Sequence, residues 1–131
     1  MKVCVLGLAH LGSVTAGCLA SIGHDVTGLD SDTKSVERLR EATPPIMEPN
    51  LDVLIQEGIQ FGNLRFTNDK KLAATGAEVL WVTHDTPVDE DDQADVEFVF
   101  QEVSEVLPFL ENDTIVLVSS QLPAGSIKCF E

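Results

Sequence analysis

The sequence predicts a doubly wound α/β domain: a parallel sheet in the strand order 3-2-1-4-5 with helices on both faces. Three observations lead there. Short apolar runs alternate with segments of helical periodicity. The first run, Lys2–Leu6, enters Gly7-Leu8-Ala9-His10-Leu11-Gly12 and then a helical stretch closed by Gly23. A second run ends on Asp30, eighteen residues beyond Gly12. Strand, glycine turn, helix, strand, acid is the order that builds a pocket for the pyrophosphate and ribose of a dinucleotide.

Each element has its own signal. In the first helix Leu11, Val14, Thr15, Cys18, Leu19 and Ile22 recur at helical spacing, which predicts one stripe packed on the sheet, with Gly23 as the C′ residue. Val26–Leu29 reads as the second strand. Ser31 or Asp32 can cap a second helix that turns Val36 and Leu39 inward and Lys34, Arg38 and Arg40 outward. Pro44, Pro45 and Pro49 mark an irregular loop. Asn50 is the expected cap of a helix with Leu51, Leu54 and Ile55 inside and Gly58 closing it. Leu64–Thr67 is a third strand, Lys70–Thr75 a helical turn and Val79–Thr83 a buried fourth strand. Asp95 reads as the cap of a long helix that buries Val96, Val99, Phe100, Val103, Val106, Leu107 and Leu110. Thr114–Val118 is the fifth strand, and Ile127 onward begins an element that the chain end truncates.

The bulk properties bound the function. The 131 residues suffice for one domain with a real core. A net charge of −14 excludes the basic footprint that nucleic acid or an anionic membrane requires. It leaves room for an anionic cofactor, because backbone N–H groups at a helix N-terminus act locally. Cys4, Cys18 and Cys129 have no metal-ligand spacing. Cys4 and Cys18 read as small core residues, and a reducing cytoplasm fits. No signal peptide and no run approaching a membrane span is expected.

Ligands of such sheets lie beyond the carboxyl ends of the strands, at the switch between strands 1 and 4. Gly7 permits the tight turn and Gly12 lets the helix lie close to the strand. Ala9 stands where a further glycine usually lets phosphate approach, at a cost of ~1–3 kcal/mol if its methyl clashes, or roughly ten- to a hundredfold in affinity. His10 and Leu11 complete the turn, His10 as a cover over the loop or, alternatively, a base. Asp30 can accept both ribose hydroxyls and would repel a 2′-phosphate, which favours NAD over NADP. Its alternative is a simple helix cap. Lys34 is a further cofactor candidate, or else a solvated lysine. Thr83, Asp85, Thr86 and Ser120 join the cofactor set from the ends of strands 4 and 5. His84 reads as structural. Asp89, Glu90, Asp91 and Asp92 read as a solvated acidic loop, since they lack calcium-loop spacing, and no metal site is expected. The chain has no tyrosine, which excludes a Tyr–Lys catalytic pair, and it carries neither a Gly-x-Ser-x-Gly elbow nor a Gly-Lys-Ser/Thr loop. No acid–base pair is placed for substrate chemistry.

Several segments in order carry a resemblance. The opening Met1–Asp30 ends in Gly23-His24-Asp25-Val26-Thr27-Gly28-Leu29-Asp30. It is followed by Pro45-Ile46-Met47-Glu48-Pro49-Asn50-Leu51, by Thr86-Pro87 ahead of Ala94-Asp95, and by Ser120, Pro123, Gly125 and Ser126. Over all 131 residues the chain resembles the NAD-binding N-terminal, Rossmann-like domain of the UDP-glucose/GDP-mannose dehydrogenases. The resemblance implies oxidation of the C6 alcohol of a nucleotide sugar to the carboxylate with two NAD, through an aldehyde held on a cysteine. It implies NAD and a nucleotide sugar as partners and a homo-oligomeric full-length protein. It places the catalytic cysteine, a lysine and most sugar contacts in central and C-terminal domains beyond residue 131, so no catalytic residue is assigned here. Three positions depart from the family pattern: Ala9, Asp85 for a glycine, and Gln121 for a threonine that helps hold an active-site water. A non-catalytic dinucleotide-sensing module is the alternative, favoured by Ala9. A hydroxyacid-type dehydrogenase is a third reading, opposed by the Glu48-Pro49 and Thr86-Pro87 segments.

Overall fold

The short apolar runs pair as one parallel sheet. A computed structural model describes residues 1–8, 10–43, 50–83, 96–111 and 113–118, without the side chains at 10 and 96–100. Its strands are β1 (Lys2–Leu6), β2 (Asp25–Leu29), β3 (Leu64–Thr67), β4 (Val79–Val82) and β5 (Ile115–Val118). They lie in the expected order β3-β2-β1-β4-β5, all neighbours parallel. Between them run α1 (His10–Ser21), α2 (Thr33–Arg40), α3 (Leu51–Phe61), α4 (Lys70–Ala74) and α5 (Val96–Val106), the last continued by a 3-10 turn at Leu107–Phe109.

Successive strand residues point to opposite faces, so β1 feeds two cores. Val3 and Val5 pack with Ala16 and Ala20 of α1, Val36 and Leu39 of α2, and Leu51 and Ile55 of α3. Cys4 and Leu6 pack on the other face with Leu80 and Val82 of β4, Ala73 and Ala74 of α4, and Val103 and Val106 of α5. Each fully buried aliphatic side chain contributes about 1.5–3 kcal/mol. Burial also pushes the Cys4 thiol up to about 12.

The helices correct the sequence reading in four places. First, the fully buried face of α1 is Gly12, Ser13, Ala16, Gly17 and Ala20, while Val14 and Leu19 of the expected stripe are only partly buried against the core. Leu11 and Ile22 are exposed, and so is Cys18, which is no core residue. The reason is space: a face of small residues lets α1 sit tightly on β1 and against α3, where larger side chains would hold it off. Second, α3 runs one turn beyond Gly58 and closes at Gly62. Gly58 is interior and buried, because a Cβ there would come within 2.8 Å of Leu64 Cβ and 3.3 Å of Ala20 Cβ. Third, Asn50 makes no side-chain cap bond and sits at φ 67° in the left-handed region. Fourth, Glu102 is buried on the inner side of α5, a polar residue among its apolar positions, while Leu107 and Leu110 are half-buried.

Other expectations hold. Gly23 and His24 donate to Ala20 O and Leu19 O, closing α1 with a Schellman motif at Gly23, φ 101°. Asp32 caps α2, and Asp69, which the sequence reading did not single out, caps α4. The Pro44–Pro49 loop, the Asp89–Asp92 stretch and the Asp95 cap lie outside the described residues.

Candidate functional site

The site is the crossover from β1 to α1, at the switch where β2 leaves to one side and β4 to the other. Gly7 takes φ 99°, a value that side chains disfavour, and turns the chain sharply out of β1. Gly12 then comes back against the turn. A Cβ on Gly12 would lie 1.7 Å from Gly7 O and 2.7 Å from Thr83 Oγ1. No other residue fits there. The N-terminus of α1 thus rests against the end of its own strand, and the N–H groups of the first helical turn have no partners within the helix. Those groups and the helix dipole suit a diphosphate.

The turn is held on all sides. Gly7 N–H donates to Leu29 O at 2.8 Å, extending the β1–β2 ladder. Thr83 Oγ1 lies 2.8 Å from Gly7 O and 3.1 Å from Leu6 O, so one hydroxyl proton is shared between them. Thr83 is wholly buried, and its hydroxyl supports the turn from β4. Ser13, also wholly buried, donates through Oγ to Leu8 O at 3.0 Å.

Asp30 is half-buried at the end of β2. Its Oδ2 accepts the Leu8 N–H at 2.8 Å and its Oδ1 accepts the Asp32 N–H at 2.9 Å. It is not the helix cap; Asp32 fills that role by accepting from Lys34 N–H. Each carboxylate oxygen has a second lone pair, so Asp30 can still accept ribose hydroxyls. Lys34 is exposed one turn along. Ser31, beside Asp30, donates to Glu102 Oε1 at 3.3 Å, which ties this corner to α5.

The structure therefore brings Gly7, Gly12, Asp30 and Thr83 into one assembly, with Leu11 exposed beside them and Lys34 at its edge. Ala9, Asp85, Thr86, Ser120 and Gln121, along with His84 and Cys129, lie outside the described residues, as does the His10 side chain. Ser13 and Glu102 are the residues the sequence reading missed. The signal for Ser13 was the small-residue spacing Gly12, Ser13, Ala16, Gly17, Ala20, which a search for large apolar residues passes over. Among the described residues no group of His, Cys, Asp and Glu could hold a metal ion, and no helix is long and apolar enough to cross a membrane.

A cradle that a single Cβ would fill, beneath a helix N-terminus and beside a carboxylate, fits a dinucleotide. The family model for the NAD binding domain of the UDP-glucose/GDP-mannose dehydrogenases matches residues 1–130. The chain belongs to this family. It is 33% identical over 127 residues to a UDP-glucose 6-dehydrogenase of Rhizobium meliloti, covering 96% of this chain and 29% of that protein. It is 34% identical over 132 residues to a GDP-mannose 6-dehydrogenase of Pseudomonas putida, covering 98% and 30%. Among solved structures, a ternary complex of GDP-mannose dehydrogenase from Pseudomonas aeruginosa superposes with TM-score 0.89 at 29% identity, covering 98% of this chain and 30% of that one. A UDP-D-ManNAc dehydrogenase from Pyrococcus horikoshii gives 0.91 at 27%, covering 99% and 31%. This chain thus spans about three-tenths of the length of these relatives. Its cofactor is NAD.

Proposed function

We propose that this chain is the coenzyme-holding part of a nucleotide-sugar 6-dehydrogenase, which oxidises the C6 alcohol of a UDP-glucose-like or GDP-mannose-like substrate to the uronate with two NAD. The observation that carries this reading is the Gly7–Gly12 contact beside the Asp30 carboxylate. When bound, NAD supplies the hydride acceptor. The chain's own residues bind and orient. Gly7, Ala9, His10, Leu11 and Gly12 form the turn over the diphosphate. Asp30 and Lys34 face the adenosine ribose, where the Asp30 charge disfavours a 2′-phosphate. Asp85, Thr86 and Ser120, which follow β4 and β5 in the sequence, complete the cofactor set, with Thr83 acting through the turn it supports. Gln121 stands where a water-positioning side chain is expected. The acid, base and nucleophile of the sugar oxidation belong to central and C-terminal domains outside this chain, in a cytoplasmic homo-oligomer.

Calorimetric titration of the chain with NAD and NADP tests the coenzyme reading. NAD is expected to bind more tightly by at least tenfold, about 1.4 kcal/mol. Equal binding of both, or binding of neither, overturns it. A dinucleotide-sensing module without chemistry is the second reading, favoured by Ala9. Reduction of NAD by a polypeptide of the relatives' length, supplied with UDP-glucose or GDP-mannose, excludes that module.

A further inference from the structure

The backbone of Leu8 is held on both sides of its Cα, in two successive peptide planes. Its N–H donates to Asp30 Oδ2 at 2.8 Å, and its carbonyl accepts from Ser13 Oγ at 3.0 Å. The two side chains come from different elements: Asp30 from the end of β2 and Ser13 from the first turns of α1. Leu8 itself is buried, its side chain in the core with Val26 and Val36. Its backbone is therefore fixed by three independent contacts at the entrance to the phosphate turn. Ser13 is wholly buried and so reaches no ligand directly.

We propose that Ser13 and Asp30 are positioning residues that set the phosphate turn before coenzyme arrives, Asp30 doing this in addition to its contact with ribose. The proposal rests on the coenzyme reading above and deepens it. A turn locked in its bound shape loses less conformational freedom on binding, so the lock contributes affinity without touching the ligand. It acts at a turn whose sequence carries Ala9 in place of a glycine. Thr83 supports the same turn one residue earlier, through Gly7 O. The Leu8 clamp is the part that reaches across to β2.

The clamp separates two roles that are usually read as one. If Asp30 only recognised ribose, its loss would be invisible to a ligand without ribose hydroxyls. If it also holds the turn, every diphosphate ligand suffers. The test uses ADP and an adenosine diphosphate lacking both ribose hydroxyls, titrated against the wild-type chain, Ser13→Ala, Asp30→Ala and Asp30→Asn. Amide hydrogen exchange at Leu8 is followed in parallel, with Val5 as the core reference. Ser13→Ala is expected to weaken both ligands equally, by about three- to tenfold, the worth of one hydrogen bond. Asp30→Ala is expected to weaken even the hydroxyl-free ligand and to speed Leu8 exchange about tenfold or more, with Val5 unchanged. Asp30→Asn keeps an acceptor for the Leu8 N–H and is expected to restore much of that protection.

Unchanged Leu8 exchange in Asp30→Ala overturns the proposal. So does undiminished binding of the hydroxyl-free ligand by both Ser13→Ala and Asp30→Ala. If Ser13→Ala fails to fold, Ser13→Cys keeps the volume with a weaker donor and carries the same expectation. A wild-type chain that binds no ligand, yet shows the Leu8 response, defeats the coenzyme reading and leaves the clamp standing.

Discussion

The two flanks of β1 are built differently. On the β2 side, a core of Val26, Leu51, Ile55 and Leu64 is threaded by close glycine contacts. Gly12 touches the turn, Gly17 lies against Leu51 and Ile55, and Gly58 lies against Leu64. A Cβ on Gly28 would meet the Phe66 ring at 2.6 Å. On the β4 side, contact is made by aliphatic bulk: Leu6, Leu80 and Val82 against Val103 and Val106. That side ends at β5, whose Ile115 is 61% exposed and Leu117 44% exposed, while Val116 and Val118 turn inward. The first flank holds the phosphate turn, and an added Cβ at Gly12, Gly28 or Gly58 would meet its neighbours at 1.7, 2.6 and 2.8 Å. The second is packed by aliphatic side chains and relaxes toward an open-faced strand. Geometric tolerance is narrow where backbone meets backbone, since nothing there can rotate away.

The contrast is broken most forcefully by Gly12→Ala. Its methyl would sit 1.7 Å from Gly7 O, so backbone must shift. Loss of NAD binding and destabilisation of about 3 kcal/mol or more are expected, read by calorimetry and urea melts. On the other flank, Leu80→Ala, at a wholly buried site, is expected to cost ~2–5 kcal/mol, and Leu117→Ala on β5 under about 1 kcal/mol. Similar losses at the two sites would show that β5 is covered in solution.

Smaller effects sharpen the same picture. The Cys4 thiol, in the aliphatic flank, is pushed up by burial to about 12 from a usual 9.0. Between those values the unfolded chain ionises its thiol while the folded chain keeps the proton. Stability therefore falls as pH rises through that window, by ~1 kcal/mol per unit. Cys4→Val is expected to flatten that slope in urea melts repeated across pH 9 to 11. Asp69→Ala removes the side-chain acceptor for Leu72 N–H and should cost about 1 kcal/mol. The smallest effect belongs to the exposed Lys70–Glu105 pair, in which the lysine lowers the Glu105 pKa. Its contribution is present above the ordinary carboxylate value of 4.5 and is lost as pH falls through the lowered one. Glu105→Gln should remove that acid-side dependence, and salt should screen it.

By itself the sequence determined the alternation of strand and helix, the strand order, and the roles of Gly7, Gly12 and Asp30 as turn, close contact and strand-end acid. These are local patterns: side-chain period, positive φ and spacing along the chain are written in neighbouring residues. Tertiary structure decided which face of α1 turns inward, because that depends on the room left by β1 and α3, and small residues win where room is least. For the same reason α3 keeps Gly58 in its interior and ends at Gly62. It also decided that Asp30 reaches back to the Leu8 N–H, that Ser13 meets the carbonyl of the same residue, and that Thr83 supports Gly7 from a strand end seventy-six residues away. Hydrogen bonds between such distant residues depend on where the sheet brings two strand ends together, and no local pattern carries that information.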